Sequence, residues 1–115
     1  MITFACKEID LKDLLVCSFS LNKTSYKVLL QLLKEGGAIS AEDLAAHVKL
    51  DRTTVQKALK ALITRNLASR KQMNLDTGGY QYFYRVDNKE EIKKKMLSLI
   101  GEWTRKVEDE IKRWQ

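Results

Sequence analysis

Six side chains, Arg52, Thr53, Gln56, Lys57, Lys60 and Thr64, recur at the spacing of one helix face, and each supplies hydrogen-bond donors or positive charge. An arginine or lysine can donate to guanine O6 and N7, a glutamine side chain can pair with adenine N6 and N7, and an ammonium group neutralises phosphate. On this chemistry Arg52, Thr53, Gln56 and Lys57 are the candidates for base edges, with Arg52 and Lys57 suited to guanine and Gln56 to adenine. Lys49, Lys60, Arg70, Lys71 and Gln72 are candidates for phosphate contacts, and Thr54 and Asn74 complete the candidate surface.

Other chemistries find less support in the residues. His47 is the sole histidine and has no second ligand at metal spacing, so a surface or capping role is expected, with no metal and no cofactor. Gly78-Gly79 lacks the Gly-x-x-x-x-Gly-Lys-Ser/Thr frame of a phosphate loop and reads as a turn. No nucleophile, base and orienting group can be assembled around one histidine. Glu90-Glu91 and Glu108-Asp109-Glu110, on a long helix, balance Lys93 to Lys95 and Lys112 as a solvated face. No enzyme is expected. Tyr80, Tyr82, Phe83 and Tyr84 could stack on unpaired bases, but strand alternation divides them between two faces, so part of the set belongs to the core. Cys6 and Cys17 are too few for a disulfide framework and too far apart for a C-x-x-C pair. They read as ordinary buried or half-buried thiols, with a redox-responsive pair as the alternative.

Charge is concentrated where the donor face lies. The 115 residues carry a net charge of +6, and residues 48–72 hold seven basic residues against Asp51 alone, while the flanking segments nearly cancel. A block of this kind favours a polyanionic partner through counterion release. An anionic membrane surface is disfavoured because no basic amphipathic stretch exposes bulky apolar residues for insertion. No apolar run reaches transmembrane length, and the N-terminal residues, interrupted by Glu8, Asp10 and Asp13, do not form a signal peptide. A cytoplasmic location is expected.

The donor face needs a helix, and the sequence supplies its start twice within the run from Ser40 to Asn66. Ser40 with Asp43 resembles a capping box, and Asp51 before Arg52 supplies a second N-cap, so the run reads helix, turn, helix. In the second helix Val55, Ala58, Leu59 and Leu62 fall at i, i+3, i+4 and i+7 and face inward. Leu50 should enter the core from the turn. Upstream, a short helix is expected from about Lys7 to Ser18, preceded by Ile2, Phe4 and Cys6 as a brief strand or extended arm. A second helix, capped by Asn22 or Thr24, carries Tyr26, Leu29, Leu30, Leu32 and Leu33 and stops at Gly36-Gly37. Downstream, Leu67 to Met73 and Tyr80 to Val86 read as strands joined by a glycine turn, with Ala38-Ile39 available as a third strand. The fold class is mainly α with a small β-hairpin.

The last segment, about Lys89 to Trp114, predicts one long helix whose apolar positions Ile92, Met96, Leu99, Ile100, Trp103, Val107, Ile111 and Trp114 make a stripe. Ile92, Trp103 and Trp114 repeat every eleven residues, a spacing that suits straight or slightly right-handed pairing. A stripe this long needs a cover. The same helix from a second copy, aided by Leu11, Leu14 and Leu15 of the N-terminal helix, is the expected one, and folding back on its own domain is the alternative. The organisation is an N-terminal arm and short helix (1–20), a middle region (21–87) and the C-terminal helix (88–115), as one folded unit.

In this order of elements the chain resembles winged helix-turn-helix transcriptional regulators, most closely the archaeal TrmB-like and MarR-like groups. The residues that carry the resemblance are LNKTSYKVLLQLLKE from Leu21 to Glu35 and AEDLAAHVKLDRTTVQKALKALITRNL from Ala41 to Leu67. The resemblance implies a homodimer on double-stranded DNA, with the helix at about 51–66 in the major groove, the wing at about 70–80 on backbone or minor groove, and the long terminal helix as the dimerisation element. Sugar-responsive TrmB proteins carry a large effector domain after this region, whereas one helix follows here, and no residue picks out a small-molecule effector site. A DNA coater with little sequence preference and a protein-interaction module within a transcription complex are the rival functions.

Overall fold

Capping residues set most of the helix boundaries in the computed structural model, which describes residues 1–4, 7–86 and 88–115. The chain divides into two compact units, Leu21–Lys89 and the paired terminal segments Met1–Ser20 with Glu90–Gln115.

In the first of these units, α2 (Lys23–Glu35) starts where Asn22 Oδ1 accepts the Ser25 backbone N–H at 2.7 Å, and it ends at Gly36 with φ 72°. A left-handed conformation of this kind carries no Cβ penalty in glycine. A two-residue strand, β3 (Ile39–Ser40), leads into α3 (Ala41–Val48), and the turn Lys49 to Asp51 leads into α4 (Arg52–Thr64). Ser40 Oγ accepts the Asp43 N–H at 3.2 Å without the return bond of a full capping box. Asp51 occupies the N-cap position of α4, but its side chain makes no capping hydrogen bond, so the expected second side-chain cap is absent.

The core of this unit is built from the expected faces. Val55, Leu59 and Leu62 of α4, Leu29 and Leu32 of α2 and Leu44 of α3 are fully buried, and Ala58 is nearly so. Val28, outside the expected core set, is fully buried as well, whereas Leu30 is exposed and Leu50 only half-buried, short of the core position expected for it. Burying a leucine side chain in such a core contributes about 1.5–3 kcal/mol.

β4 (Ala68–Asn74) and β5 (Tyr80–Val86) form the hairpin, and β3 pairs antiparallel with β5 on its other edge, Ile39 opposite Tyr84 and Ser40 opposite Phe83. The third strand is therefore Ile39–Ser40 rather than Ala38-Ile39, and it gives the ribbon the extra pairing that a lone hairpin needs. The turn closes with the Leu75 N–H donating to the Gly79 carbonyl, and Gly78 and Gly79 both take positive φ.

Lys49 takes a left-handed φ of 58° as the C-cap of α3, a conformation that glycine adopts at less cost. Lys49→Gly should raise the unfolding free energy by about 0.5–1 kcal/mol, a gain readable in urea melts.

In the unit formed by the terminal segments, Lys7–Ile9 is a strand, not the start of a helix. This β2 pairs antiparallel with β1 (Ile2–Phe4) in the register Ile2 to Ile9 and Thr3 to Glu8. The helix α1 (Leu11–Phe19) begins only after it, at a complete capping box: Asp10 Oδ1 accepts the Asp13 N–H at 2.8 Å and Asp13 Oδ2 accepts the Asp10 N–H at 3.3 Å. Cys6 lies outside the described residues, and Cys17 is exposed rather than buried or half-buried. The C-terminal helix α5 (Lys89–Arg113) has 25 residues, about 37 Å of helix. No helix among the described residues is long and apolar enough to cross a membrane. Five helices, the last of them long, and a two-strand wing with a short third strand make this, among the described residues, a winged helix-turn-helix fold.

Candidate nucleic-acid interface

The outward ridge of α4 follows from its buried one. With Val55, Ala58, Leu59 and Leu62 inside, a rotation of 100° per residue leaves Thr53, Lys57, Lys60 and Thr64 farthest from the core, and all four are exposed. Arg52 and Gln56 are also exposed and form the adjoining row one helical turn apart. Thr64 turns its hydroxyl onto the Lys60 carbonyl at 2.9 Å, which occupies its donor within the helix. Thr54 is only half-buried and lies on the flank: with Lys57, Ala58 and Ala61 it lines a cleft of about 180 Å³ whose other wall is Asn22, Thr24 and Ser25 at the start of α2. The small side chains of Ala58 and Ala61 let the two helices approach there. Lys49 is exposed in the turn that precedes α4.

On the wing, pairing register sorts the candidates by face. Arg70 is opposite Tyr84, Gln72 opposite Tyr82 and Asn74 opposite Tyr80, while Lys71 is opposite Phe83 and Met73 opposite Gln81. Side chains alternate along a strand. Arg70, Gln72 and Asn74 therefore share one face with Tyr80 and Tyr82, and at its inner end that face is core, at Ala68 and Tyr84. Lys71 stands on the opposite face with Met73 and Phe83, so it and Arg70 cannot meet a ligand on one surface of the ribbon. Arg70 places its guanidinium carbon 4.3 Å from the centre of the Tyr82 ring, and Tyr80 meets Tyr82 edge to face at 5.5 Å.

His47 takes a structural place. Its Nδ1 lies 2.6 Å from Glu35 Oε1, joining the last turn of α3 to the last turn of α2, and Gln31 Nε2 donates to the same oxygen at 2.9 Å. Donation from Gln31, then from His47, holds the Glu35 carboxyl below the ordinary glutamate range. A carboxylate lowered in the folded state contributes stability that is complete above its unfolded value and is lost as pH falls through the folded value. Glu35→Gln should therefore lower stability near neutrality and flatten its fall on acidification, a difference that urea melts at pH 7 and pH 3 would display. Among the described residues no group of three or more His, Cys, Asp and Glu side chains is arranged to hold a metal ion.

The apolar stripe of α5 divides in two. Ile92 and Met96, and Leu15 on α1, are buried within the single chain, which leaves them little surface for a second one. Leu11, Leu99, Trp103, Ile111 and Trp114 are exposed, Trp103 at 62% and Trp114 at 85%, while Leu14, Ile100 and Val107 are half-buried. Leu14, Leu99, Ile100 and Trp103 line a largely apolar groove of about 410 Å³ together with Ile9 and Cys17. Leu97 is exposed at 71% but sits about 100° away from the centre of the stripe, which is why the periodic pattern missed it. The carboxylates of α5 pair locally, Glu90 with Lys93 at 3.1 Å, Glu91 with Lys94 at 3.6 Å and Glu110 with Arg113 at 3.5 Å. Exposed pairs of this kind each contribute at most about 1 kcal/mol.

Comparison with known proteins agrees with this architecture. The uncharacterized protein MJ1503 of Methanocaldococcus jannaschii is 33% identical over 109 residues, which cover 95% of this chain and 79% of that protein. A solved structure titled a possible transcriptional regulator from Methanosarcina mazei Go1 matches 100% of this chain and 97% of its own length, with a TM-score of 0.91 at 34% identity. A MarR family regulator from Neisseria meningitidis shares the fold alone, with a TM-score of 0.50 at 19% identity over 84% of this chain and 63% of its own. Residues 11–107 match the DnaD N-terminal domain. With more than four-fifths of its length inside that match, this winged-helix chain belongs to the DnaD N-terminal domain family.

Proposed function

We propose that the chain is a sequence-specific double-stranded DNA-binding transcriptional regulator that acts as a homodimer. The observation that carries this reading is the exposed face of α4, where Arg52, Thr53, Gln56, Lys57 and Lys60 stand clear of solvent-excluded structure within the one segment that holds the whole net charge. In the proposed complex α4 lies in the major groove and the wing lies along the neighbouring backbone and minor groove. Arg52, Gln56 and Lys57 address base edges. Lys49 and Lys60 neutralise phosphates, and Arg70, Gln72 and Asn74 contribute from one face of the wing.

The exposed part of the α5 stripe supplies the second half of the proposal. Trp103, Ile111 and Trp114 are large apolar side chains in solvent, and a second copy of the helix about a twofold axis would cover them. Two α4 helices would then present themselves about 34 Å apart, the spacing of successive major grooves on one side of a duplex.

The test is a binding titration of the intact chain on selected and on random duplexes at two salt concentrations. A specific regulator keeps its preference for the selected duplex at the higher salt. A steep salt dependence without preference would instead make the chain a DNA coater, and absence of affinity at both concentrations would make it a protein-interaction module.

A further inference from the structure

The signs of the charges along α5 reverse about its middle. Taken inward from the two ends, the acids Glu90 and Glu91 stand against the bases Arg113 and Lys112, and then the bases Lys93, Lys94 and Lys95 stand against the acids Glu110, Asp109 and Glu108. The mirror point lies between Gly101 and Glu102, beside the middle of the 25 residues. Each of these acids has a base at its mirror position, and no mirror position brings two acids or two bases together. The apolar stripe follows the same symmetry: Ile92 mirrors Ile111, Met96 mirrors Val107 and Ile100 mirrors Trp103.

A helix of this pattern is complementary to itself reversed, and not to itself aligned. Laid antiparallel on a second copy, with a twofold axis at the mirror point, every charged block meets its opposite over about 37 Å of helix. Laid parallel, Lys93 to Lys95 face three lysines and Glu108 to Glu110 face three acids, an arrangement that repels. Lys93 and Lys95 lie on the two flanks of the stripe, about 80° either side of the line through Ile92 and Met96, where the ion pairs that select a partner helix form. The pairs within one chain, Glu90 with Lys93 and Glu110 with Arg113, leave all four side chains exposed. On the apolar side the same register sets the partner's Trp103 opposite Ile100, at the groove that Leu14, Leu99 and Ile100 line.

We infer that the charge order of α5 selects its partner: it admits a second copy of this chain in antiparallel orientation, and rejects both the parallel dimer and chains of the same fold whose terminal helix lacks the reversed order. The inference rests on the homodimer reading above and adds to it an orientation, a register and the residues that choose. Covering the apolar stripe supplies the affinity. The charges supply the choice, because a wrong partner sets like charges against each other.

The experiment mixes chains with reversed charge blocks, one of them isotopically labelled, and counts the dimers by native mass spectrometry at low salt, where screening is weakest. Reversing one block, with Lys93→Glu, Lys94→Glu and Lys95→Glu, should set acids against acids and raise the dimer dissociation constant about tenfold or more. Adding Glu108→Lys, Asp109→Lys and Glu110→Lys restores every opposition. The sixfold variant should therefore dimerise like the unaltered chain, yet form fewer mixed dimers with it than random mixing gives. Mixed dimers in excess of random mixing would mean parallel helices, and random proportions would mean that the charges choose nothing; either overturns this inference alone. If the sixfold variant fails to fold, single cysteines decide, in chains that carry Cys6→Ser and Cys17→Ser. Lys93→Cys and Glu110→Cys chains should cross-link on oxidation as a mixed pair, and a mixture without cross-links, or cross-linking of either variant with itself, overturns the inference. An unaltered chain that stays monomeric at every concentration would overturn the homodimer reading as well.

Discussion

On the proposed function, Lys57→Glu combined with Lys60→Glu should lower duplex affinity by about a hundredfold or more while the chain keeps its fold. Both lysines stand on the outward ridge of α4, opposite Val55, Leu59 and Leu62, and neither side chain takes part in a hydrogen bond or ion pair among the described residues. Lysine and glutamate have similar helix propensities, so the reversal changes the electrostatics of the face and little else. Two cations that neutralise phosphates or donate to bases become two anions facing a polyanion, and each lost contact of the base-reading kind costs about 1–3 kcal/mol before repulsion is counted. Fluorescence anisotropy on a labelled duplex reads the affinity, and circular dichroism with a urea melt reads the fold. Unchanged affinity would remove α4 as the reading element.

Trp103→Asp should separate the proposed homodimer into monomers and weaken the proposed DNA binding with it. Trp103 is exposed in the single chain, next to the groove lined by Ile9, Leu14, Cys17, Leu99 and Ile100, and it sits one turn or two from Val107 and Ile111 on the same stripe. A large aromatic at the centre of a covered apolar patch is the kind of side chain whose loss costs 2 kcal/mol or more, about thirtyfold in dimer dissociation. The aspartate adds the cost of burying a charge. Stability of the single chain should change little, because the indole is already in solvent. Sedimentation velocity across a concentration series reads the result, and dimers that persist would move the interface off this part of α5.

These expectations draw on features that the sequence displays unequally. The inward face of α4 was legible because four apolar residues at helical spacing leave one way to bury them, and Tyr80 to Val86 was legible because aromatic and β-branched residues crowd into seven positions. The helix stop at Gly36 was legible for the reason that glycine alone enters the left-handed region without strain. Local pattern says less where the answer depends on a distant partner. Lys7 to Ile9 has helical spacing with the residues that follow, but Ile2 to Phe4 supplies a strand to pair with, and Asp10 with Asp13 fixes the first helical turn after it.

The candidate site shows the same division. Arg70 and Lys71 are adjacent in sequence and equally basic, and which of them accompanies Gln72 and Asn74 is decided by alternation once β5 fixes the register. Thr54 is half-buried because the start of α2 packs beside it, a fact of tertiary packing. Ile92 and Met96 belong to the stripe by spacing, yet a single chain already buries them, as it buries Leu15 of α1, while Leu97, off the stripe, stays in solvent. Cys17 reads as an ordinary buried or half-buried thiol and is exposed, among the residues that line the groove.

Whether two copies of the α4 face read one duplex, as proposed, is decided by selection of bound duplexes from a random pool, followed by sequencing. Enrichment of an inverted repeat whose half-site centres lie about 10 base pairs apart is expected. A pool that stays random through successive rounds, or an enriched single site without twofold symmetry, would contradict it.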